Sequence, residues 1–182
     1  PTSITIEVHI EEDLQQILAD ATQIHQIIMN LCTNASHAME PKGGTLGVRL
    51  TQVELRRGTV TTPNGLERGQ YLQLSISDTG TGMSPEIMGM IFDPYFTTKD
   101  LGVGTGLGLS VIHGIVNEYG GAISVDSIPG KGSTFNLFFP TVQVASQVNQ
   151  QFNLKSLPKG TENILVVDDE PTILKLSKRI LK

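Results

Sequence analysis

An α+β domain, with a mixed and mostly antiparallel sheet accompanied by helices, is what the sequence predicts, and three observations carry the prediction. Five short segments read as strands, longer segments repeat apolar residues at helical spacing, and clusters of Gly, Pro and Asn punctuate them. Residues 4–10, ITIEVHI, alternate apolar and polar side chains as a half-buried strand does. The next segment, EEDLQQILADATQIHQIIMNLCTNASHAM, reads as helical over residues 11–39. In its second part Ile24, Ile27, Ile28, Leu31, Ala35 and Ala38 fall on one stripe, and Gln23, Asn30, Asn34 and His37 line its flank. Strands around TLGVRLTQVEL and YLQLSISD follow, joined by RRGTVTTPNGLERG, whose Pro63 and Asn64-Gly65 pair signal a turn in a long hairpin loop. A helix near SVIHGIVNEYG stops at Gly120 and Gly121. The strand AISVDS, a turn at PGKG and the strand STFNLFFP, with Phe135, Leu137 and Phe139 alternating, complete the pattern.

Composition narrows the function. A chain of 182 residues that is 38% apolar supports one sizeable core and part of a second domain. Its formal net charge of −5 provides no broad basic field, which argues against nucleic acid and an anionic membrane surface as partners. No apolar run approaches the roughly 18 residues of a membrane span, and no leader pattern opens the chain, so a cytoplasmic fragment without direct membrane contact is expected. The single cysteine, Cys32, permits no internal disulfide and reads as a small buried apolar residue. Residues 141–160, rich in Gln, Asn and Ser, read as a linker. Residues 161–182 carry one strand, the acidic pair Asp168 and Asp169 at its end, and one helix, too little to enclose a core, so the chain is expected to stop inside a second domain.

Four stretches of the first 140 residues carry candidate chemistry. Asn30 and Asn34 stand four apart on one helical face, with His37 a turn further on. Asparagine oxygen is a hard neutral ligand suited to Mg²⁺ beside phosphate, and a polar helix edge accounts for the same residues equally well. Asp78 ends the apolar row Leu72, Leu74, Ile76, where a carboxylate wants a partner. An adenine amine is one such partner, with Gly80 and Gly82 admitting a flat base, and an Asp-initiated turn is the other reading. Phe92 and Phe96 anchor a loop whose Thr97, Thr98 and Lys99 offer hydroxyls and an ammonium, either as a lid over a triphosphate or as a plain surface loop. GTGLGLS, residues 104–110, opens onto a helix as phosphate-cradling loops do, although tight turns use the same residues.

The order and spacing of these stretches say more than any one of them. Asn-x-x-x-Asn on a helix, DxGxG after a strand, Phe92 and Phe96 with a TTK segment, and then GTGLGLS resemble the N, G1, F and G2 boxes of the histidine kinase catalytic domain. The resemblance covers residues 1–140 and implies the Bergerat ATP-binding α/β sandwich shared with gyrase, Hsp90 and MutL, with helices on one face of the sheet. It implies ATP and Mg²⁺ as ligands, Asn34 as the Mg²⁺ ligand, Asn30 beside metal and phosphates, and Asp78 as the adenine-reading carboxylate. Asn30, Asn34 and Lys99 would carry catalysis. Gly80, Gly82 and Met83 would flank the base. Thr98, Lys99, Gly102, Gly104, Thr105, Gly106, Leu107 and Gly108 would form the lid and phosphate segment, with His37 where many relatives direct Lys or Arg at phosphate. Related ATPases place a glutamate base where this chain has Asn30, and an amide cannot take a proton from water at neutral pH. Transfer to another protein group is therefore favoured over hydrolysis; a Bergerat ATPase, a serine-directed kinase and a module whose glycines only shape turns are the rival readings.

In the family the acceptor is a histidine on a separate dimerisation domain, in a motif beginning His-Glu or His-Asp. His9, His25, His37 and His113 lack those neighbours, so that domain is expected as a partner. ILVVDDEP resembles the first strand of response-regulator receiver domains, with Asp168 and Asp169 as its incomplete Mg²⁺ pair, which implies a hybrid parent and a receiver partner. Left without sheet neighbours, this strand is expected either to remain mobile or to bury Ile164, Val166 and the apolar face of the following helix against the first domain or a second copy, with self-association through the tail favoured.

Overall fold

The computed structural model describes residues 3–55, 66–98 and 104–142, together with Leu165 and Val167. The chain divides into two compact units, Pro1–Ala145 and Ser146–Lys182. In the second, Leu165 and Val167 are exposed, and Ile164, Val166, Asp168 and Asp169 lie outside the described residues.

The first unit holds one five-stranded sheet of Ile4–Ile10 (β1), Gly44–Leu55 (β2), Gly69–Asp78 (β3), Ala122–Ile128 (β4) and Gly132–Pro140 (β5). Its order is β1-β2-β3-β5-β4. β1 runs parallel to β2, and every other neighbouring pair is antiparallel, which is the mixed, mostly antiparallel sheet expected. Helices Ala21–Ala38 (α1) and Gly108–Glu118 (α3) pack on the sheet, and Pro85–Met88 (α2) is a single short turn of helix. The core forms where Ile27, Leu31 and Ala35 of α1 and Ile112, Ile115 and Val116 of α3 meet Leu74, Ile76, Phe135, Leu137 and Phe139. Register explains why one face suffices: Leu74 pairs with Leu137, and Ile76 with Phe135. The period of two then stacks both rows under the helices. Each such side chain taken from water contributes about 1.5–3 kcal/mol.

Two expectations are corrected. The helix expected over residues 11–39 begins only at Ala21, because Asp20 caps it, its carboxylate accepting from the Thr22 N–H at 2.6 Å. Residues 11–20 instead satisfy their backbone against the sheet: Glu11 N–H donates to Leu50 O at 3.0 Å, Gln15 N–H to Gln52 Oε1 at 3.0 Å, and Gln16 forms an isolated bridge with Val142. Asp13, at φ +57°, could not continue a right-handed helix. The second correction concerns β1, which is not half-buried. Ile6, Val8 and Ile10 are 64%, 63% and 62% exposed, because β1 is the edge strand while α1 packs on β2, β3 and β5. Alternation along a strand sets the face and leaves its place in the sheet undecided.

The short α2 had no counterpart in the sequence reading. Its signal was present: Ser84 accepts from Ile87 N–H at 3.4 Å, and Pro85 occupies the first turn.

Candidate functional site

Asp78 stands at the C-terminal end of β3, in line with the core residues Leu74 and Ile76, and is only 8% exposed. Burial pushes its carboxyl above the usual carboxylate value, and the backbone N–H groups of Gly80 and Ser133 oppose that shift. The Gly80 contact is 2.8 Å, made to Oδ1, so the chain turns immediately around its own carboxylate.

The loop that follows is gripped from both sides. Toward α1, Thr81 N–H donates to Ala38 O at 3.0 Å, and a Cβ on Gly80 would lie 2.5 Å from that same oxygen. Toward the β4–β5 hairpin, Gly130 N–H donates to Thr81 O at 2.7 Å. Gly82 adopts φ +64° there, and a Cβ on it would overlap the carbonyl of Ile128. Both glycines are therefore demanded by the protein's own backbone.

Between α2 and α3 the chain is anchored by Ile91, which is buried, and by Phe92 and Phe96, which pack on the core. Phe92 also lies against the His113 ring, with centroids 5.2 Å apart. Tyr95 N–H donates to Gly106 O at 3.0 Å, and Gly106, at φ +66°, sits so close to the Tyr95 carbonyl that a Cβ would collide with it. The segments on either side of residues 99–103 are thus tied together. Thr98 is exposed, whereas Lys99 and Gly102 lie outside the described residues.

Asn30, Asn34 and His37 are half-buried on α1, and Asn34 and His37 are already engaged in interactions. A Cβ on Gly108 would stand 3.9 Å from Asn30 Cγ, so the first residue of α3 opens directly beside the Asn30 amide. Leu107 precedes the helix without a side-chain cap. The first N–H groups of such a helix have no intrahelical partner, and here the helix starts close to a helix-borne amide. The described part of the 104–108 segment places Gly104, Gly106 and Gly108 half-buried and Thr105 and Leu107 exposed, while Met83 packs against the core. Among the described residues, no three His, Cys, Asp or Glu cluster to hold a metal.

Sequence reasoning missed Ser133, which pairs with Asp78 in register, and Ser127, which pairs with Ser133 one strand further on. The only signal available was the PGKG turn that brings β4 and β5 together.

The fold and this convergence of loops define a class, the nucleotide-binding α/β sandwiches. Within it, the chain belongs to the histidine kinase-, DNA gyrase B-, and HSP90-like ATPase family, whose model matches residues 19–143. Sensor kinase CckA of Brucella abortus (strain 2308) is 34% identical over 178 residues, covering 93% of this chain and 19% of its own. Among solved structures, the mycobacterial sensor histidine kinase MprB is 26% identical at a TM-score of 0.61, over 77% of this chain and 83% of that one. Full-length ShkA in complex with AMPPNP is 27% identical at a TM-score of 0.59, over 76% of this chain and 26% of that one. The chain thus spans about a fifth of the length of a relative such as CckA and is an ATP-binding domain of the sensor histidine kinase kind. Among the described residues, no helix is long and apolar enough to cross a membrane.

Proposed function

We propose that this domain binds Mg²⁺-ATP and donates the γ-phosphate to a histidine on a separate dimerisation domain. The observation that carries the reading is a pair of placements: a buried carboxylate at Asp78 at the end of β3, and an amide at Asn30 beside the start of α3. Asp78 accepts from the exocyclic amine of adenine and so distinguishes it from a base offering a carbonyl there. Gly80, Gly82 and Met83 line the base, and backbone N–H groups from Gly104 to Gly108 hold the phosphates at the start of α3. Lys99, Thr98 and Gly102 complete the lid in this reading, and His37 supplies a further polar contact.

Mg²⁺ supplies charge neutralisation between phosphates when bound. The donor set fits it, since Mg²⁺ takes few protein ligands and keeps water and phosphate oxygens for the rest, and Asn34 offers one amide oxygen. Asn30 is an amide and cannot remove a proton from water, which leaves a protein nucleophile as acceptor. In the transfer the unprotonated imidazole nitrogen of the acceptor bonds to the γ-phosphorus, the bond from that phosphorus to the β–γ bridging oxygen breaks so that ADP leaves, and the other ring nitrogen releases its proton to solvent. The 93% match to CckA runs past residue 143 into the tail; residues 161–182 are read as the start of a receiver from their strand-DDEP-helix pattern, with Asp168 and Asp169 as its acidic pair.

The test mixes this chain with γ-labelled ATP and a separately produced dimerisation domain carrying a His-Glu or His-Asp helix. Label should appear on that histidine and be lost with Asn34→Ala. Steady-state release of inorganic phosphate without label on the acceptor would instead identify an ATPase.

A further inference from the structure

We propose that Ser127 is a positioning residue of the nucleotide site, holding residues 79–83 in the geometry that lets Asp78 read the base; the inference rests on the adenine assignment above. Ser127, Ser133 and Asp78 stand side by side on three adjacent strands, Ser127 paired with Ser133 and Ser133 with Asp78. Ser127 Oγ accepts from Met83 N–H at 2.8 Å and lies 3.1 Å from Gly132 O and 3.0 Å from Ser133 Oγ. A hydroxyl has one proton and two lone pairs. Donating to Gly132 O while accepting from Met83 and Ser133 uses all three within the protein.

The consequence is geometric. Ser133 donates its backbone N–H to the Asp78 carboxylate at the start of the loop, and Ser127 holds Met83 at its end. One cross-strand serine pair therefore sets both ends of the turn. The clamps at Ala38 and Gly130 are made by main-chain groups, which survive side-chain substitution. Ser127 is the hydroxyl whose removal frees Met83 while leaving those clamps in place. An open recess of about 210 Å³, whose lining includes Asp78, Ser127, Gly132 and Ser133, lets water reach Gly132 and Ser133 once the hydroxyl is gone, and with the main-chain clamps intact the variant is expected to fold.

The full chain is titrated with mant-ATP and mant-GTP as the parent, Ser127→Ala and Ser127→Thr, with thermal unfolding recorded for each. Ser127→Ala should lose roughly tenfold in mant-ATP affinity, the scale of one hydrogen bond, with little change for mant-GTP. Ser127→Thr, which keeps the hydroxyl, should recover most of that preference. A merely structural serine would lower the unfolding midpoint and weaken both nucleotides alike, and that result overturns the proposal. So does a Ser127→Ala chain that keeps the parent's preference for ATP. If the parent itself does not prefer ATP, the adenine assignment fails first and the role of Ser127 falls with it.

Discussion

At the scale of single residues, Asp78 joins stability to binding. The folded chain holds its carboxyl above the ordinary value of 3.8, chiefly through burial, so the folded state binds that proton more tightly than the unfolded state. The contribution of Asp78 to stability is therefore fully present below pH 3.8 and is lost as pH rises through the raised folded value. Urea unfolding of parent and Asp78→Asn across the acid range should show the parent losing stability relative to the variant as pH increases. A difference that grows in the parent's favour with rising pH would mean that the Gly80 and Ser133 hydrogen bonds outweigh burial. At neutral pH the same substitution should weaken ATP binding by about 1.5–3 kcal/mol, the worth of a hydrogen bond to a charged group, as measured by fluorescent nucleotide titration. Asp78 was legible in the sequence because an acid ending an apolar row is out of place without a partner. Ser127 was not, because the penultimate serine of a strand resembles any other polar position until the register places it beside Ser133 and the fold brings the Met83 N–H to it.

At the scale of elements, the sheet and α3 followed from periodicity, whereas the start of α1 and the burial of β1 did not. Leu14, Ile17 and Leu18 keep helical spacing, yet the backbone around them finds partners on Leu50, Gln52 and Val142, which lie far away in sequence. Leu18 itself is exposed. A local period is overridden when a distant strand offers hydrogen bonds that a helix would otherwise make. Glycines divide in the same way into those the loops require and those they do not. Gly82 combines φ +64° with a carbonyl against its missing Cβ, so Gly82→Ala should cost at least about 1–2 kcal/mol and abolish nucleotide binding. Gly114, inside α3 with nothing within 4 Å of its Cβ position, should behave oppositely. Gly114→Ala is expected to stabilise by about 0.4–1 kcal/mol while leaving nucleotide affinity unchanged. Thermal unfolding and nucleotide titration of the two variants side by side separate the roles. A stabilised Gly82→Ala chain that still binds would show that the 79–83 loop tolerates rearrangement.

At the scale of the whole molecule, every residue assigned to the nucleotide lies between Asn30 and Ser133, inside the unit Pro1–Ala145. Two residues placed in the linker by composition, Thr141 and Val142, make sheet-edge contacts in that unit. Thr141 N–H donates to Gln70 O at 3.1 Å and Thr141 Oγ1 to Gln15 Oε1 at 2.7 Å, while Val142 N–H donates to Gln16 O at 2.9 Å. The bonds to Gln15 and Gln16 tether residues 11–20, whose backbone has no helix of its own to satisfy it, and the bond to Gln70 fixes Thr141 on β3. Two shortened chains follow from this, one ending at Ala145 and one at Pro140. The first should match the full chain in unfolding midpoint and in mant-ATP affinity. The second loses three hydrogen bonds at about 0.5–1.5 kcal/mol each, so it should unfold at a lower temperature while its nucleotide affinity, set at the opposite ends of β3 and β5, stays close to that of the full chain. Equal midpoints for the two would show that Thr141 and Val142 do not hold the 11–20 segment. Loss of nucleotide binding in the chain ending at Ala145 would place part of the site in the tail, against the assignment made for Asp78, Asn30 and Gly108.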